Sequence, residues 1–284
     1  MEKMYDYLIN KVFTIPYIDK LIKEINTETF LQCVSRYVLS DKELTYGEAI
    51  SKIYNYMDSS YRNEYYYKNT VFNQLLVDKH NMYDTAGLTE LPISESKADF
   101  LIINGKGIVY EIKTDLDNFN RLNNQINDYY KAFKYVYVVV GYRQYNKIKE
   151  ILNNSSVGIY VLYDTGTLLC RKKAKCNTKD LSYECMFGIL RKKEFEYILE
   201  KHFDALPKVN NFYYYRECLE WTKKINILTF HNEMINCLKR RTVLETDDIV
   251  IENIPYELRF YAYFTKENNN YKIINEFWKK KLEV

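Results

Sequence analysis

The stretch 98–115, ADFLIINGKGIVYEIKTD, contains two apolar runs separated by a short polar turn. Its β-branched and aromatic side chains predict two strands, because such side chains suit the pleated surface of a sheet. The turn residues 104–107, Asn-Gly-Lys-Gly, tolerate the positive φ angles of a hairpin. Glu111 and Lys113 flank Ile112 and therefore share one face of the second strand. Charged groups are costly to bury, so the sequence predicts a specific role for this pair.

The segments around the hairpin predict an α/β fold. The runs 135–142 and 158–163, YVYVVVGY and GIYVLY, have the composition of short strands. The stretch 118–134 carries its apolar residues at helical spacing, and so does 61–80, which precedes the first predicted strand. The predicted order is helix, strand, hairpin strand, helix, strand, strand. That order indicates a mixed central sheet flanked by helices, with helical additions at both ends of the chain.

The chain divides by pattern into three regions. Residues 1–55 are predicted to be helical, with Thr45 as an N-cap and Glu48 three residues on. Residues 56–175 form the predicted core. Residues 176–284 are predicted to be mostly helical, with a short strand and a last helix in the tail.

Composition limits the classes of protein that this chain can belong to. Hydrophobic residues make up 47% of the chain, which indicates a globular protein and not a disordered one. The apolar runs are too short to span a bilayer, and the N-terminus lacks the features of a signal peptide, so we expect a soluble, cytoplasmic protein without a membrane partner. Six irregularly spaced cysteines indicate reduced thiols. The net charge of +3 is too small to indicate nucleic-acid binding by itself.

The hairpin also predicts a metal site. Asp99 opens the first strand and Glu111 closes the second, so antiparallel pairing brings both carboxylates to the same end of the sheet. Two carboxylates there repel each other unless a divalent cation lies between them. Oxygen ligands suit a hard cation such as Mg²⁺. Lys113 would point into the same pocket, where its ammonium could orient a water or neutralise charge on a phosphate oxygen.

Asp99, followed after eleven residues by Glu111-Ile112-Lys113, resembles the signature of the PD-(D/E)xK nuclease superfamily. Ala98 replaces the proline of that signature. The resemblance implies a restriction-endonuclease-like core with a metal-dependent, phosphodiester-cleaving site on the hairpin. It implies that Asp99, Glu111 and the Ile112 carbonyl hold Mg²⁺ or Mn²⁺, and that Lys113 assists the attacking water.

Further stretches extend the likeness. Gln125 and Tyr129, in QINDY, resemble the QxxxY motif of RecB-type and lambda-exonuclease-type members, where these side chains would hold substrate phosphate or the catalytic lysine. Glu64 lies where many members carry a glutamate that completes the metal shell. Residues 60–175 as a whole look similar to small bacterial proteins with a locus-tag-style name beginning "sce".

Each of these interpretations has a simpler alternative. Asp99, Glu111 and Lys113 could be a surface strand pair with an ordinary ion pair. Glu64 could pair with Lys68 one helical turn on. Gln125 and Tyr129 could belong to a plain amphipathic helix. The remaining candidates are nucleic-acid contacts at Ser96, Lys97 and Arg121, weighed against exposed loop and helix positions, and the carboxylates of Asp115 and Asp117, which are better explained as loop and cap residues.

The sequence therefore predicts a metal-dependent nuclease that acts on nucleic acid, most plausibly DNA, in phage defence, mobile-element biology or repair. No phosphate-binding loop, serine-hydrolase elbow or dinucleotide fingerprint is present in the sequence. The alternative is a catalytically inactive or partner-dependent module that binds nucleic acid or protein. A homo-oligomer or a partner protein is compatible with either interpretation.

Overall fold

The computed structural model of the chain describes residues 6–25, 27–38, 43–80, 84–241, 251–265 and 270–282. It contains two compact units. The first comprises Met1–Lys79, Tyr163–Leu168 and Glu245–Val284, and the second comprises His80–Leu162 and Leu169–Leu244. The predicted division into 1–55, 56–175 and 176–284 stays a prediction.

The strands lie in the middle of the chain, between two groups of helices. In chain order the helices are α1 (Asp6–Val12), α2 (Ile15–Ile22), α3 (Glu28–Tyr37), α4 (Tyr46–Ser60), α5 (Glu64–Val71), α6 (Leu122–Tyr130), α7 (Tyr145–Ile151), α8 (Tyr183–Ile189), α9 (Lys192–Phe203), α10 (Asn211–Thr222), α11 (Ile227–Arg240), α12 (Arg259–Thr265) and α13 (Asn270–Lys279). The strands are β1 (Ala86–Ile93), β2 (Ser96–Ile103), β3 (Gly107–Lys113), β4 (Tyr135–Gly141), β5 (Gly158–Leu162) and β6 (Leu168–Lys172).

The helices of the first unit begin at residues that the sequence favours as caps. The Thr45 side chain accepts the Glu48 N–H, and the Glu48 carboxylate accepts the Thr45 N–H at 2.7 Å, so the predicted capping box of α4 is confirmed. Thr14 caps α2 in the same way and is followed by a proline in the first turn. These bonds satisfy backbone donors that a helix leaves without partners at its start.

A buried amide ties α5 to the C-terminal part of the first unit. Asn69 is fully buried, and its side chain donates to the Tyr54 hydroxyl at 2.8 Å and to the Tyr256 carbonyl at 3.0 Å. Its oxygen accepts the Phe260 N–H at 3.1 Å. Because a buried amide without partners is costly, these three bonds fix the position of the segment 256–260 on α5. The helix continues as a π-helical segment, Phe72–Val77.

The second unit is built on a six-stranded mixed sheet in the order β1-β2-β3-β4-β5-β6. The pairs β1–β2 and β2–β3 are antiparallel, whereas β3–β4 and β4–β5 are parallel. The predicted α/β class with a mixed sheet is confirmed. The predicted order omitted β1, whose sequence AGLTELPI contains a proline and polar residues, and it also omitted β6 and the helix α7 between β4 and β5.

The predicted hairpin is confirmed in turn and register. Gly105 has a φ of 64°, and the Asn104 N–H donates to the Lys106 carbonyl at 3.1 Å. The strands then pair from Ile103↔Gly107 to Phe100↔Tyr110. Helix α11 packs on the sheet face that carries Glu111. Gly107 and Glu111 share that face of β3, and a Cβ at Gly107 would lie 2.5 Å from Ile235 of α11.

The C-terminal stretches are helical as predicted, but each contains two helices. Residues 186–203 are interrupted after α8, and residues 213–241 are interrupted before Asn226, whose side chain caps α11. The strand predicted in the tail is wrong for the described residues 251–265 and 270–282, although the last helix is confirmed as α13. The aromatic run RFYAYF forms α12, and burial on several sides of a helix outweighs its strand propensity. In the part of the chain that the structure describes, no helix is both long and apolar enough to cross a membrane.

The buried histidine of α11 predicts acid sensitivity. His231 is 2% exposed, and burial together with the nearby Lys134 charge lowers its pKa to about 4. An unfolded histidine titrates near 6.5, so between these values the unfolded chain binds more protons. The free energy of unfolding should therefore fall as the pH falls from about 6.5 towards 4. Urea unfolding of the wild type and of His231→Phe at pH 7.5, 6 and 5 should show a shallower pH dependence for the variant. His202→Phe is the matched control, and an equal change there would contradict the assignment.

Candidate active site

The candidate site lies where β2 separates from β3. The ladder between these strands ends at Phe100↔Tyr110, while β2 stays paired with β1 as far as Ser96. Just beyond the last pair, the Asp99 carboxylate accepts the Ile112 N–H at 2.7 Å. A side chain thus takes the place of a backbone partner, and the first predicted acid is held beside β3.

Glu111 is the centre of the site. Its side chain is 1% exposed, and the Oε1 atom accepts hydrogen bonds from Lys113 Nζ at 2.7 Å and Gln125 Nε2 at 2.6 Å. The Oε2 atom accepts the Tyr129 hydroxyl at 2.5 Å. Lys113 also donates to Gln125 Oε1 at 3.0 Å, so the three side chains form a closed ring of hydrogen bonds. The predicted sharing of one face by Glu111 and Lys113 is confirmed. The ion pair of the simpler alternative is present, but it is buried and does not lie at the surface as that alternative supposed.

Helix α6 supplies two of these partners because of its sequence spacing. Gln125 and Tyr129 are four residues apart and therefore face the same way. The neighbouring apolar residues Leu122 and Ile126 are buried, which seats the helix on the sheet. The QxxxY pair thus contacts the predicted metal-binding acid itself. Whether these residues have the roles that the resemblance implies stays a prediction.

The Tyr129 hydroxyl is a fixed donor. Burial raises the pKa of Tyr129, and the negative charges of Glu111 and Asp99 raise it further. The hydroxyl therefore keeps its proton at any working pH. It also lies 3.0 Å from the Lys97 carbonyl of β2. One side chain thereby links the separated ends of β2 and β3.

A third acid, Glu90, was missed at the level of sequence. Thr89 and Leu91 are paired in the ladder between β1 and β2, but Glu90 between them is not. Glu90 lies opposite Asp99 and has a φ of 56°. This left-handed conformation costs a residue other than glycine roughly 1–2 kcal/mol. Carboxylate oxygens of Glu90 and Asp99 lie within 4.8 Å of each other, and Lys97 Nζ lies 2.5 Å from Glu90 Oε2. Glu90, Asp99 and Glu111 thus form a row across three adjacent strands.

The signal for Glu90 was available only through the strand pairing. In the register of β1 and β2, the residue opposite Asp99 is Glu90. The sequence did not identify β1, so no register could be assigned to it. A second residue missed was Gln144, whose Nε2 atom donates to the carbonyl of Thr114 at 2.7 Å and so fixes the backbone directly after Lys113.

The other predicted residues lie in more ordinary surroundings. Ser96 donates to Asp128 at 2.6 Å, and Arg121 is exposed just before α6. The Asp117 carboxylate accepts the Thr114 N–H at 2.8 Å, which confirms its role in the loop. The nucleic-acid contacts assigned to Ser96, Lys97 and Arg121, and the Ile112 carbonyl as a metal ligand, stay predictions.

Glu64 belongs to the first unit. It is the first residue of α5, its side chain is 63% exposed, and it pairs with Lys68 at 2.6 Å. The pairing expected one helical turn on is confirmed. Its place in a metal shell stays a prediction.

Comparison with known proteins gives one broad match. The family model described as bacteriophage P4 protein cII matches residues 57–255. Among curated proteins no relative was found. A solved structure of SfsA from Pyrococcus furiosus in complex with Ca²⁺ is similar over 46% of this chain and 63% of that chain, with 17% identity and a TM-score of 0.24. A likeness at that TM-score does not establish a shared fold.

The closed ring predicts that burial of the Glu111 charge is tolerated only while Lys113 is present. In Lys113→Met the buried carboxylate loses its counter-charge, which should lower the free energy of unfolding by about 3–5 kcal/mol. The double variant Glu111→Gln/Lys113→Met removes both charges and should recover most of this loss. Urea unfolding measures both.

The matched control for this prediction is Lys131→Met. Lys131 pairs with Asp128 at 2.7 Å near the surface, so its loss should cost no more than about 1 kcal/mol. Equal losses in Lys113→Met and in the double variant would show that the two charges do not depend on each other.

Proposed function

The chain belongs to the bacteriophage P4 protein cII family, and we propose that it is a metal-dependent nuclease of the PD-(D/E)xK type that hydrolyses phosphodiester bonds in DNA. One observation carries this proposal. A buried glutamate, Glu111, is aligned by a lysine of the same strand face and lies beside Asp99 at the end of the hairpin. Residues of α6 hold that glutamate from a second direction. This is a polar, charged centre at a strand end and not a packing contact.

The donor set fits a hard divalent cation. The row of Glu90, Asp99 and Glu111 contains three carboxylates and contacts two ammonium groups, those of Lys97 and Lys113. An excess of negative charge on oxygen ligands favours Mg²⁺ or Mn²⁺ over softer metals. Asp99, Glu111 and the Ile112 carbonyl would hold the cation, with Glu90 as an added carboxylate. A bound cation would supply Lewis-acid polarisation of the phosphate and a more acidic water.

Lys113 is positioned to act on a phosphate oxygen or a water. Its ammonium has three hydrogens, of which one is donated to Glu111 and one to Gln125. Among the described residues no third acceptor is found, which supports a role for the remaining hydrogen in binding substrate. Because Gln125 contacts both charged groups, it fixes the direction in which the ammonium points. Tyr129 does the same for the carboxylate.

A second candidate function is a binding module built on the same core. The hydrogen-bond ring satisfies both oxygens of Glu111 without any ligand, as a purely structural cluster would. In that case the protein binds nucleic acid or another protein and does not cut. A nuclease that cuts only with a partner protein, in phage defence, mobile-element biology or repair, would combine features of both candidate functions. The nuclease assay below separates them.

We expect cleavage to require both the cation and the acids. Purified protein with Mg²⁺, Mn²⁺ or a chelator would be incubated with linear, circular and single-stranded DNA and with RNA. Asp99→Asn and Glu111→Gln should lower the cleavage rate roughly 100- to 1000-fold, since each removes charge from the reacting centre. Asp204→Asn, at the left-handed residue that follows α9, is the matched control and should cut normally. Equal cutting by all four proteins would rule the nuclease assignment out.

Metal binding can be tested without any substrate. Isothermal titration with Mn²⁺ should show a site in the wild type that is weakened at least ten-fold in Asp99→Asn, because a charged oxygen ligand becomes neutral. Asp204→Asn again serves as the control. Unchanged Mn²⁺ affinity in Asp99→Asn would favour the binding-module alternative.

A further inference from the structure

One short segment carries more net positive charge than the chain as a whole. Residues 168–179, here called the basic segment, contain one arginine and four lysines and no acidic residue. Since the whole chain has a net charge of +3 and this segment carries +5, the remainder carries −2. The basic segment begins with β6 and continues beyond it to Lys179, and Arg171, Lys173 and Lys175 are exposed.

The basic segment runs across three half-buried tyrosines on the sheet. The hydroxyl of Tyr160 in β5 contacts the thiol of Cys170, and the hydroxyl of Tyr135 in β4 contacts the thiol of Cys176. Between them, the hydroxyl of Tyr137 is hydrogen-bonded to the backbone of Ala174. Lys173 and Lys175 therefore flank the central tyrosine. The rings of Tyr137 and Tyr160 lie 5.0 Å apart, so two members of this aromatic row are in contact.

The path of the basic segment is fixed by backbone contacts. The Lys175 N–H donates to the Ser156 carbonyl at 2.8 Å, and the Asn177 N–H donates to the Lys134 carbonyl at 2.9 Å. At Gly158 there is no room for a side chain, since a Cβ would lie 2.2 Å from the Tyr137 ring and 2.7 Å from the Ala174 nitrogen. The backbone of Lys173 and Lys175, on either side of Ala174, is thus fixed beside Tyr137.

One lysine of the segment shows the effect of crowded positive charge. Lys172 Nζ donates to the carbonyls of Leu152 and Ser155, at 2.5 and 2.8 Å. Partial burial lowers the pKa of Lys172, and the like charge of Lys175 lowers it further. A polyanion beside these lysines would relieve that repulsion. Lys106, from the hairpin turn, adds a further cation 5.1 Å above the ring of Tyr135.

We propose that the basic segment and its three tyrosines bind single-stranded nucleic acid. Lys173 and Lys175 contact the phosphates, and the rings of Tyr135 and Tyr160 stack against bases. Proteins that bind single strands combine a cationic track with aromatic side chains in this way. An acidic protein would use the charges but not the rings, so the aromatic row favours nucleic acid. The proposal rests on the proposed function only in identifying the nucleic acid as substrate, and it does not require that the site cleaves.

Binding is measured by fluorescence anisotropy of a labelled 20-nucleotide oligothymidylate, with a chelator present so that nothing is cut. The variant Lys173→Glu/Lys175→Glu should bind at least ten-fold more weakly at 100 mM salt. The slope of log affinity against log salt should become shallower by about 1.4, which corresponds to two lost phosphate contacts on a single strand. The matched control is Lys192→Glu/Lys193→Glu at the start of α9, where both lysines are exposed. It should bind like the wild type.

A second pair of variants tests the aromatic part. Tyr135→Ala should weaken binding of the oligothymidylate several-fold and leave binding of an abasic oligomer unchanged, whereas Tyr135→Phe should retain both. Thermal unfolding checks that each variant is folded. Undetectable binding by the wild type, equal loss in the α9 control, or equally effective competition by polyglutamate would overturn the proposal. Because this assay measures no cleavage, a failure to bind the oligothymidylate would not contradict the proposed nuclease activity. Likewise, loss of cutting in Asp99→Asn would not contradict binding at the basic segment.

Discussion

The second unit depends on the accommodation of one buried negative charge. Removing a carboxylate from water costs several kcal/mol, and the cost is recovered only with close partners of good geometry. Glu111 has such partners because the two-residue repeat of β3 and the four-residue spacing on α6 place side chains around the same carboxylate. The alternation of β3 brings Lys113 to its side, and the helical spacing of α6 brings Gln125 and Tyr129. The same hydrogen bonds therefore hold α6 on the sheet and align the side chains of the candidate site.

The separation of β2 from β3 follows from this arrangement. Backbone pairing that continued past Phe100 would occupy the Ile112 N–H, which the Asp99 side chain takes instead. The Tyr129 hydroxyl lies 3.0 Å from the Lys97 carbonyl on the separated part of β2, but its one proton is donated to Glu111. The Asp99 side chain thus satisfies a backbone donor that the opened ladder exposes. The acidic row lies at this opened end of β1, β2 and β3, while the basic segment lies against β4 and β5 on the other side of the strand order. A sheet with acidic side chains at one end of its strand order and basic side chains at the other can orient a polyanion as well as bind it.

Local rules predicted the hairpin and the shared strand face of Glu111 and Lys113, because turn residues and alternation act over a few residues. The hydrogen bonds of Gln125 and Tyr129 to Glu111 were not predicted, since the likeness to the nuclease superfamily implied only that these side chains hold substrate phosphate or the lysine. Glu90 was not predicted either, because β1 lacks clear alternation and its placement opposite Asp99 is a property of the folded sheet. The left-handed backbone at Glu90 has no local cause such as glycine or asparagine. The strand predicted in the tail was wrong for a related reason, since burial decides the state of an aromatic run such as that of α12.

Stability alone does not explain the polar ring around Glu111. Apolar side chains of similar volume in place of a buried ion pair are often neutral or stabilising by about 1–4 kcal/mol. A core position under selection for stability alone would thus gain little from a glutamate, a lysine and a glutamine. The left-handed Glu90 adds a further cost beside the same carboxylates. The strained backbone at Glu90 and the buried charge of Glu111 both lower stability at one strand end, where carboxylate oxygens of Glu90 and Asp99 lie within 4.8 Å of each other. Under the proposed function, a site that concentrates negative oxygen ligands beside the ammonium groups of Lys97 and Lys113 would account for both costs.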